Sequence, residues 1–164
     1  MNGDILFRQE NFVFSYRVAG VLIRNGRILL QKPVGDDYAL IGGHVAFMET
    51  TRETLAREFR EEIHADIEVG GLMAVGEIMF RWNGRACHQI SLYYRIGLKD
   101  DTQIPLEGSF KGYHEDGSVR PEMDFVWLPL EELDRHTVYP VELIPHILSG
   151  DQGVFHFVSN SLED

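Results

Sequence analysis

The sequence has one cysteine, Cys87, among 164 residues. A single thiol excludes an intrachain disulfide framework and suits a reducing compartment, so a cytoplasmic location is expected. The simplest role for Cys87 is to fill space on a strand. Basic residues are scarce: 15 Lys and Arg stand against 26 Asp and Glu, for a formal net charge of −11 at pH 7. That balance argues against non-specific association with nucleic acid or anionic membrane, both of which lean on cationic contacts. No apolar run is long enough to span a bilayer. The opening Met1–Arg8 stretch lacks the long apolar core of a secretory leader. Internal repeats and low-complexity tracts are also missing. What remains reads as a single domain over residues 1–164, large enough to bury a core without disulfides or a structural metal.

The densest chemical signal runs from Gly43 to Ala65, GHVAFMETTRETLAREFREEIHA. Thr50 followed by Glu53 fits a capping box, which satisfies two orphan amides at a helix start. Leu55, Phe59 and Ile63 recur every four residues and form an apolar stripe. At about 100° per residue, Glu58 and Glu62 flank that stripe and Glu61 lies further out on the same side. Arg57, Arg60 and Glu53 are expected on the opposite flank. No lysine interrupts the three glutamates, and like charges at i, i+4 cost about 0.2–0.5 kcal/mol per pair. A bound cation offsets that repulsion. Hard carboxylate oxygens on a fixed element suit Mg²⁺, which commonly bridges protein carboxylates to substrate phosphates. The competing reading is a solvated helix face held by Glu53–Arg57 and Arg57–Glu61 pairs.

The full spacing resembles the Nudix box, G-x5-E-x7-R-E-U-x-E-E-x-G-U, where U is bulky and apolar. Gly43, Glu49, Arg57, Glu58, Phe59, Glu61 and Glu62 match it in place. His64 stands where the family has Gly, and Ala65 where it has a larger apolar residue. The residue just past a helix is often left-handed, a conformation that His tolerates better than most residues. The resemblance implies an α/β fold, the Nudix-type α/β/α sandwich with a central mixed β-sheet. It also implies a MutT-like activity, hydrolysis of a nucleoside diphosphate linked to another moiety by water and a divalent metal. On the same basis Glu58 and Glu62 ligate Mg²⁺ (with Mn²⁺ as an alternative), Glu61 ligates or stands just behind, and the Gly43 carbonyl adds an oxygen. Glu49 and Arg57 support the site, since an arginine can fork onto carboxylates. The general base stays open among Glu58, Glu61 and an acid of the late loop: Glu115, Asp116 or Glu122. Glu122 is favoured because it immediately precedes the Phe125–Leu128 strand.

Elsewhere, Phe12 to Ile23 reads as a long strand, and Asn25-Gly26 as a tight hairpin into Ile28–Gln31. Tyr38–Ile41 is a short strand leading to Gly42-Gly43. Residues 67–82 read as one or two strands with a break near Gly70-Gly71. Asn83-Gly84 signals a second hairpin into residues 86–98. Residues 99–121 show no periodicity and are expected to be a long functional or mobile loop. A strand over Phe125–Leu128, a helical turn from Pro129, a last helix over Val141–Leu148 and a short edge strand from Phe155 complete the chain.

Substrate contacts are weakly marked. Arg17 can reach a phosphate or sit in a surface salt bridge. His44 can touch phosphate or water, or be a plain loop histidine. Phe80, Trp82 and Tyr113 are candidates to stack on a base, or else pack in the core or hairpins. Trp127 reads as core. His88, His114, His136, His146 and His156 lack metal-ligand spacing, so no zinc site is expected. The expected partner is a nucleotide-derived small molecule: a nucleoside triphosphate, a nucleotide sugar or a dinucleotide. A homodimer is common among proteins that resemble this one. Two other functions stand beside hydrolysis. One is a non-catalytic nucleotide sensor, motivated by the altered end of the box. The other is action on triphosphorylated or capped RNA, disfavoured by the acidic balance.

Overall fold

The chain opens with a short strand, β1 (Leu6–Arg8), that pairs antiparallel with β2 (Phe12–Arg24). The computed structural model describes residues 2–162. Asn25 and Gly26 both take positive φ, 54° and 72°, the mirror-image turn that matches strand twist. This turn delivers β3 (Arg27–Pro33) back along β2. After β4 (Tyr38–Ala39), β5 (Ile41–His44) returns to β2 and sets Gly43 opposite Val18 and His44 opposite Arg17. Helix α1 (Thr51–Ile63) follows. The long β6 (Ile67–Trp82) and β7 (Arg85–Leu98) form the second tight hairpin, with Asn83 and Gly84 at φ 50° and 78°. The break expected at Gly70-Gly71 is a register shift within one strand.

Strand β7 runs parallel to β2, from Phe12 opposite Ala86 to Leu22 opposite Ile96. Then come β8 (Ser109–Tyr113), β9 (Val119–Pro129), a 3-10 turn over Leu130–Arg135 and β10 (Val138–Tyr139). Helix α2 (Ile144–Ser149) is capped by left-handed Gly150, and β11 (Phe155–Asn160) adds in parallel to the outer edge of β6. The main path of this mixed sheet is β10-β4-β3-β2-β7-β6-β11.

Alternation along β2 explains the layering. Val18 and Leu22 join the cluster that contains Leu55, Phe59 and Ile63 of α1. Ala19 and Val21 join the other cluster, with Leu133, Leu143, Ile144 and Ile147 from the late helical turns and α2. Successive side chains of a strand point to opposite faces, so helices cover both faces of the sheet. This is the α/β/α sandwich that the box implied.

Residues 99–121 differ from expectation. They are not a structureless loop: β8 and the start of β9 lie within them and pair antiparallel. Phe110 stacks on Phe125 with ring centroids 5.7 Å apart, anchoring the hairpin to the core. The glycines break the side-chain periodicity, but backbone pairing does not need it. One of them is required. A Cβ at Gly112 would stand 2.6 Å from the Glu62 carbonyl oxygen, so β8 presses directly on the end of α1.

The tightest backbone approach is at Gly42, where a Cβ would overlap the Val18 carbonyl of β2. Gly42→Ala is therefore expected to force β5 away from β2 and destabilise the protein by roughly 2–4 kcal/mol. Urea unfolding checks this; an unchanged midpoint would mean that β5 is not seated as described.

Candidate active site

Helix α1 starts and ends as its residues dictate. The Thr50 side chain accepts from the Glu53 amide at 3.1 Å. The Thr54 hydroxyl, fully buried, donates to Glu49 Oε1 at 2.8 Å. The helix stops at His64, which takes the left-handed conformation (φ 57°, ψ 34°). Its ring lies flat on Tyr113 of β8, centroids 3.7 Å apart and planes 6° from parallel. The stack offers a physical reason why a side chain is kept at a position that favours glycine.

Arg57 is the hub on the outer side of the helix. Its Nε and Nη2 donate to both oxygens of Glu49 at 2.9–3.2 Å, and Nη1 reaches Glu61 at 3.2 Å and Glu58 at 3.4 Å. The expected separation of Arg57 from the glutamates does not hold, because its long side chain spans the difference in helical angle. Glu53 is not its partner. The fork onto Arg57 holds the Glu49 carboxyl below the usual carboxylate range, and Arg57 itself is raised, chiefly by Glu49.

Glu58 and Glu62 border the core, with side chains only 17% and 18% exposed. The Glu58 carboxyl is packed against Gly43, where a Cβ would stand 2.6 Å from its Cδ. Burial pushes Glu58 up to about 7; Arg57 opposes this shift, while Glu61 and Asp4 add to it. Burial, then repulsion from Glu58, pushes Glu62 up to about 8, with Arg120 and Arg17 acting in the opposite sense. Glu62 Oε2 is buried with no hydrogen-bond partner among the described residues. Buried polar atoms are normally paired, and an unpartnered carboxylate oxygen on a group repelled by a neighbouring carboxylate suits a hard divalent cation. The donor set, clustered carboxylates packed against the Gly43 backbone, fits Mg²⁺ or Mn²⁺. Among the described residues, no three ligand-type side chains already surround one point. Glu61 is drawn to Arg57, and Glu62 faces Arg120 at 3.9 Å.

A cavity of about 210 Å³ opens beside this cluster, lined by Ser15 and Arg17 of β2, His44 of β5, Phe80 and Trp82 of β6, and Cys87 and Gln89 of β7. Arg17 and His44 are cross-strand neighbours at its border. Burial and then Arg17 lower His44 below its usual value, against the pull of Asp4, whose carboxylate lies 3.9 Å from Nδ1. Cys87 is on a strand, and Trp127 is in the core, as expected from the sequence.

Two sequence candidates lie elsewhere. Tyr113 does not line the cavity, because its ring is committed to His64. Glu122 stands 56% exposed on β9, tied to Arg120 Nε at 3.2 Å, and through Arg120 it adjoins Glu62. Hydrogen bonding holds it below the usual carboxylate range. Sequence reasoning missed Arg120, Asp4, Ser15 and Gln89. Arg120 carried one signal, since it shares a strand face with Glu122 two positions on. Asp4 carried none; it reaches the site only because its backbone bridges to Ala46.

A family model described as NUDIX domain matches residues 15–147. This chain belongs to the NUDIX family. The E. coli ORF135 protein is similar in structure at a TM-score of 0.53 and 25% identity, covering 83% of this chain and 89% of that one. A MutT NUDIX hydrolase from Burkholderia pseudomallei aligns at a TM-score of 0.59 and 20% identity, over 80% of this chain and 95% of that one. An ADP-ribose pyrophosphatase from Streptococcus suis shares the fold at a TM-score of 0.56 and 13% identity, over 87% and 98% of the two chains. Nudix hydrolases act on pyrophosphate bonds and generally use divalent metal ions.

The raised carboxyls set a pH dependence. Glu58 and Glu62 hold their protons more tightly when folded than when unfolded, where the ordinary value is 4.5. Their stabilising effect is complete below about 4.5 and is lost as pH rises through about 7 to 8. Metal-free Nudix hydrolase is therefore expected to lose a few kcal/mol between about pH 5 and 8.5, and Glu62→Gln to remove much of that slope. Urea titrations in EDTA across this range measure it. A flat profile in the parent would refute the burial of the two carboxyls.

Proposed function

We propose that the chain is a Mg²⁺-dependent pyrophosphohydrolase, a single Nudix hydrolase domain over residues 1–164. Its substrate is a nucleoside diphosphate linked to another moiety: a nucleoside triphosphate, a nucleotide sugar or a dinucleotide. One observation carries the reading. Two buried carboxyls, one with an unpartnered oxygen, lie beside a glycine strand and next to a cavity bordered by an arginine.

Glu58, Glu62 and the Gly43 carbonyl, with Glu61, would hold the metal, which would supply charge neutralisation on the phosphate oxygens and on the departing phosphate. Arg57 and Glu49 fix the helix to the preceding loop, so that the ligating carboxylates are placed before substrate arrives. Arg17 and His44 receive the phosphate chain where the cavity meets the acidic cluster. Two candidate bases remain open to water, Glu61 with a 32% exposed side chain and Glu122 at 56%. A cytoplasmic setting fits the lone buried cysteine, and no described helix is long and apolar enough to cross a membrane. His64 keeps the left-handed turn that the box supplies with glycine. The departure at that position thus gives no support to a sensor without turnover.

A panel of nucleoside triphosphates, nucleotide sugars and dinucleotides, incubated with Mg²⁺, tests the reading by phosphate release. Glu58→Gln and Glu62→Gln are each expected to lower kcat by roughly 10²–10⁴-fold and weaken metal binding, and EDTA to abolish turnover. Of Glu61→Gln and Glu122→Gln, the general-base variant is the one that loses kcat by about 10²-fold or more while still binding Mg²⁺. Arg57→Lys loses the two-pronged grip on Glu49 and is expected to weaken Mg²⁺ binding about tenfold, seen by calorimetry. No hydrolysis of any compound, with the two glutamine variants binding metal like the parent, would end this reading.

A further inference from the structure

Arg120 has more hydrogen-bonding capacity than its surroundings use. The β8–β9 pairing sets it opposite Gly112, the residue pressed on the Glu62 carbonyl. The register shifts between Lys111 and Gly112, an irregularity of the kind that re-aims a side chain. Arg120 is thereby carried over the C-terminal end of α1. Its Nη1 stops 3.9 Å from Glu62 Oε1, too far for a hydrogen bond. Its Nε donates to Glu122 Oε1 at 3.2 Å, the only hydrogen bond of this guanidinium among the described residues. The remaining N–H donors sit on a side chain only 27% exposed. Among the described residues, Glu62 Oε2 is the one unpartnered side-chain atom sealed from water, so the Arg120 Nη atoms reach open space. With Nε taken, the free edge is the Nη1–Nη2 end. Such an edge can offer parallel donors to two oxygens of one phosphate.

The arginines around the acidic cluster differ in what they already hold. Arg57 is closed on Glu49, and its third donor touches Glu58 and Glu61. Arg120 and Arg17 both act on the Glu62 carboxyl, Arg120 more strongly, and both oppose the effect of burial there. They reach it from separate strands, β9 and β2. A diphosphate approaching a chain of net charge −11 meets repulsion unless cationic donors face it. A metal would offset part of that charge, and the guanidinium with unspent donors beside a metal-ligating carboxylate is placed to offset more.

Resting on the hydrolase reading above, we propose that Arg120 is a substrate-binding residue whose Nη1–Nη2 edge grips oxygens of the diphosphate beside Glu62. Glu122 holds Nε and so aims the fork, which makes it a positioning residue acting through Arg120. That role needs an oxygen acceptor at Glu122 and not a charge. The diphosphate is then received from β2 by Arg17 and from β9 by Arg120. The competing arrangement is a fixed ion pair, in which Arg120 only offsets the charge of Glu62. The two differ in what is lost with the guanidinium: grip on the phosphates in one, the state of a metal ligand in the other.

Calorimetry with α,β-methylene-ADP and α,β-methylene-UDP at saturating Mg²⁺ tests this, because the carbon bridge blocks cleavage of the diphosphate. Arg120→Gln is expected to weaken analogue binding by about 10–100-fold. Its Mg²⁺ affinity, measured without analogue, should stay within about threefold of the parent. Arg120→Lys keeps the charge but not the fork, and is expected to recover only part of the loss. Glu122→Gln keeps an acceptor for Nε and should bind the analogues within about threefold of the parent, whereas Glu122→Ala should weaken them by about three- to tenfold. Urea midpoints establish that each variant is folded; if Arg120→Gln is not, Arg120→Lys carries the test alone. In turnover assays Arg120→Gln should raise KM more than it lowers kcat. Failure of both analogues to bind the parent, or parental binding by the Arg120 variants, overturns the proposal. A loss confined to Mg²⁺ affinity also overturns it, since the fixed ion pair gives that result. Hydrolysis with an unchanged KM in Arg120→Gln sinks this inference and spares the pyrophosphohydrolase. Arg120-dependent analogue binding without hydrolysis of any compound supports this inference and sinks the pyrophosphohydrolase.

Discussion

Packing of the Leu55–Phe59–Ile63 stripe onto the sheet forces Glu58 and Glu62 to the rim of the core. The carboxyls cannot avoid this, because they sit one position before and three positions after Phe59, whose ring is fully buried. Removal from water penalises the charged form, and the two groups repel each other. Gly43 completes the constraint by letting β5 come close enough for its backbone to touch the Glu58 carboxyl. Local stability is thus spent to keep two carboxylates poorly hydrated and one oxygen unpartnered, a state that favours a cation over a proton as pH rises.

Such a cluster would spread apart without a counterweight. Arg57 supplies it from the outer side, gripping Glu49 with two donors and touching Glu58 and Glu61 with a third. The guanidinium is held in turn because Thr54 and the loop before the helix fix Glu49. At the far end of the helix, the β8–β9 hairpin closes the arrangement. Gly112 lies against the Glu62 backbone, Tyr113 stacks on His64, and Arg120 reaches back toward the Glu62 carboxylate. Both ends of α1 are therefore pinned, and the glutamates gain their positions from the loop before the helix as much as from the hairpin after it.

Much of the fold was legible because it is written in local chemistry. Asn25-Gly26 and Asn83-Gly84 gave their hairpins because few other pairs accept two successive positive φ values. The helix was legible from Thr50, Glu53 and the four-residue repeat of apolar side chains. The β8–β9 hairpin was not, since Gly108, Gly112 and Gly117 remove the alternation that marks a strand, and its pairing partner β3 lies far away in sequence. The reach of Arg57 to Glu49 and Glu58 was not legible, because helical angle locates a Cβ, whereas a guanidinium acts several ångströms beyond it. Tyr113, a candidate either to stack on a base or to pack in a hairpin, lies flat on His64, a contact between segments that nothing in either one announces.

By itself, the sequence determined the family, the kind of chemistry and the helix that bears it, because the spacing from Gly43 to Glu62 is a local code. The tertiary structure alone decided that Glu62 has an orphan oxygen, that Arg120 and Asp4 adjoin the acidic cluster, and that Arg17 and His44 share a cavity with Phe80 and Trp82. Desolvation and hydrogen-bond direction depend on which distant strands come together, and no spacing along one chain segment encodes that.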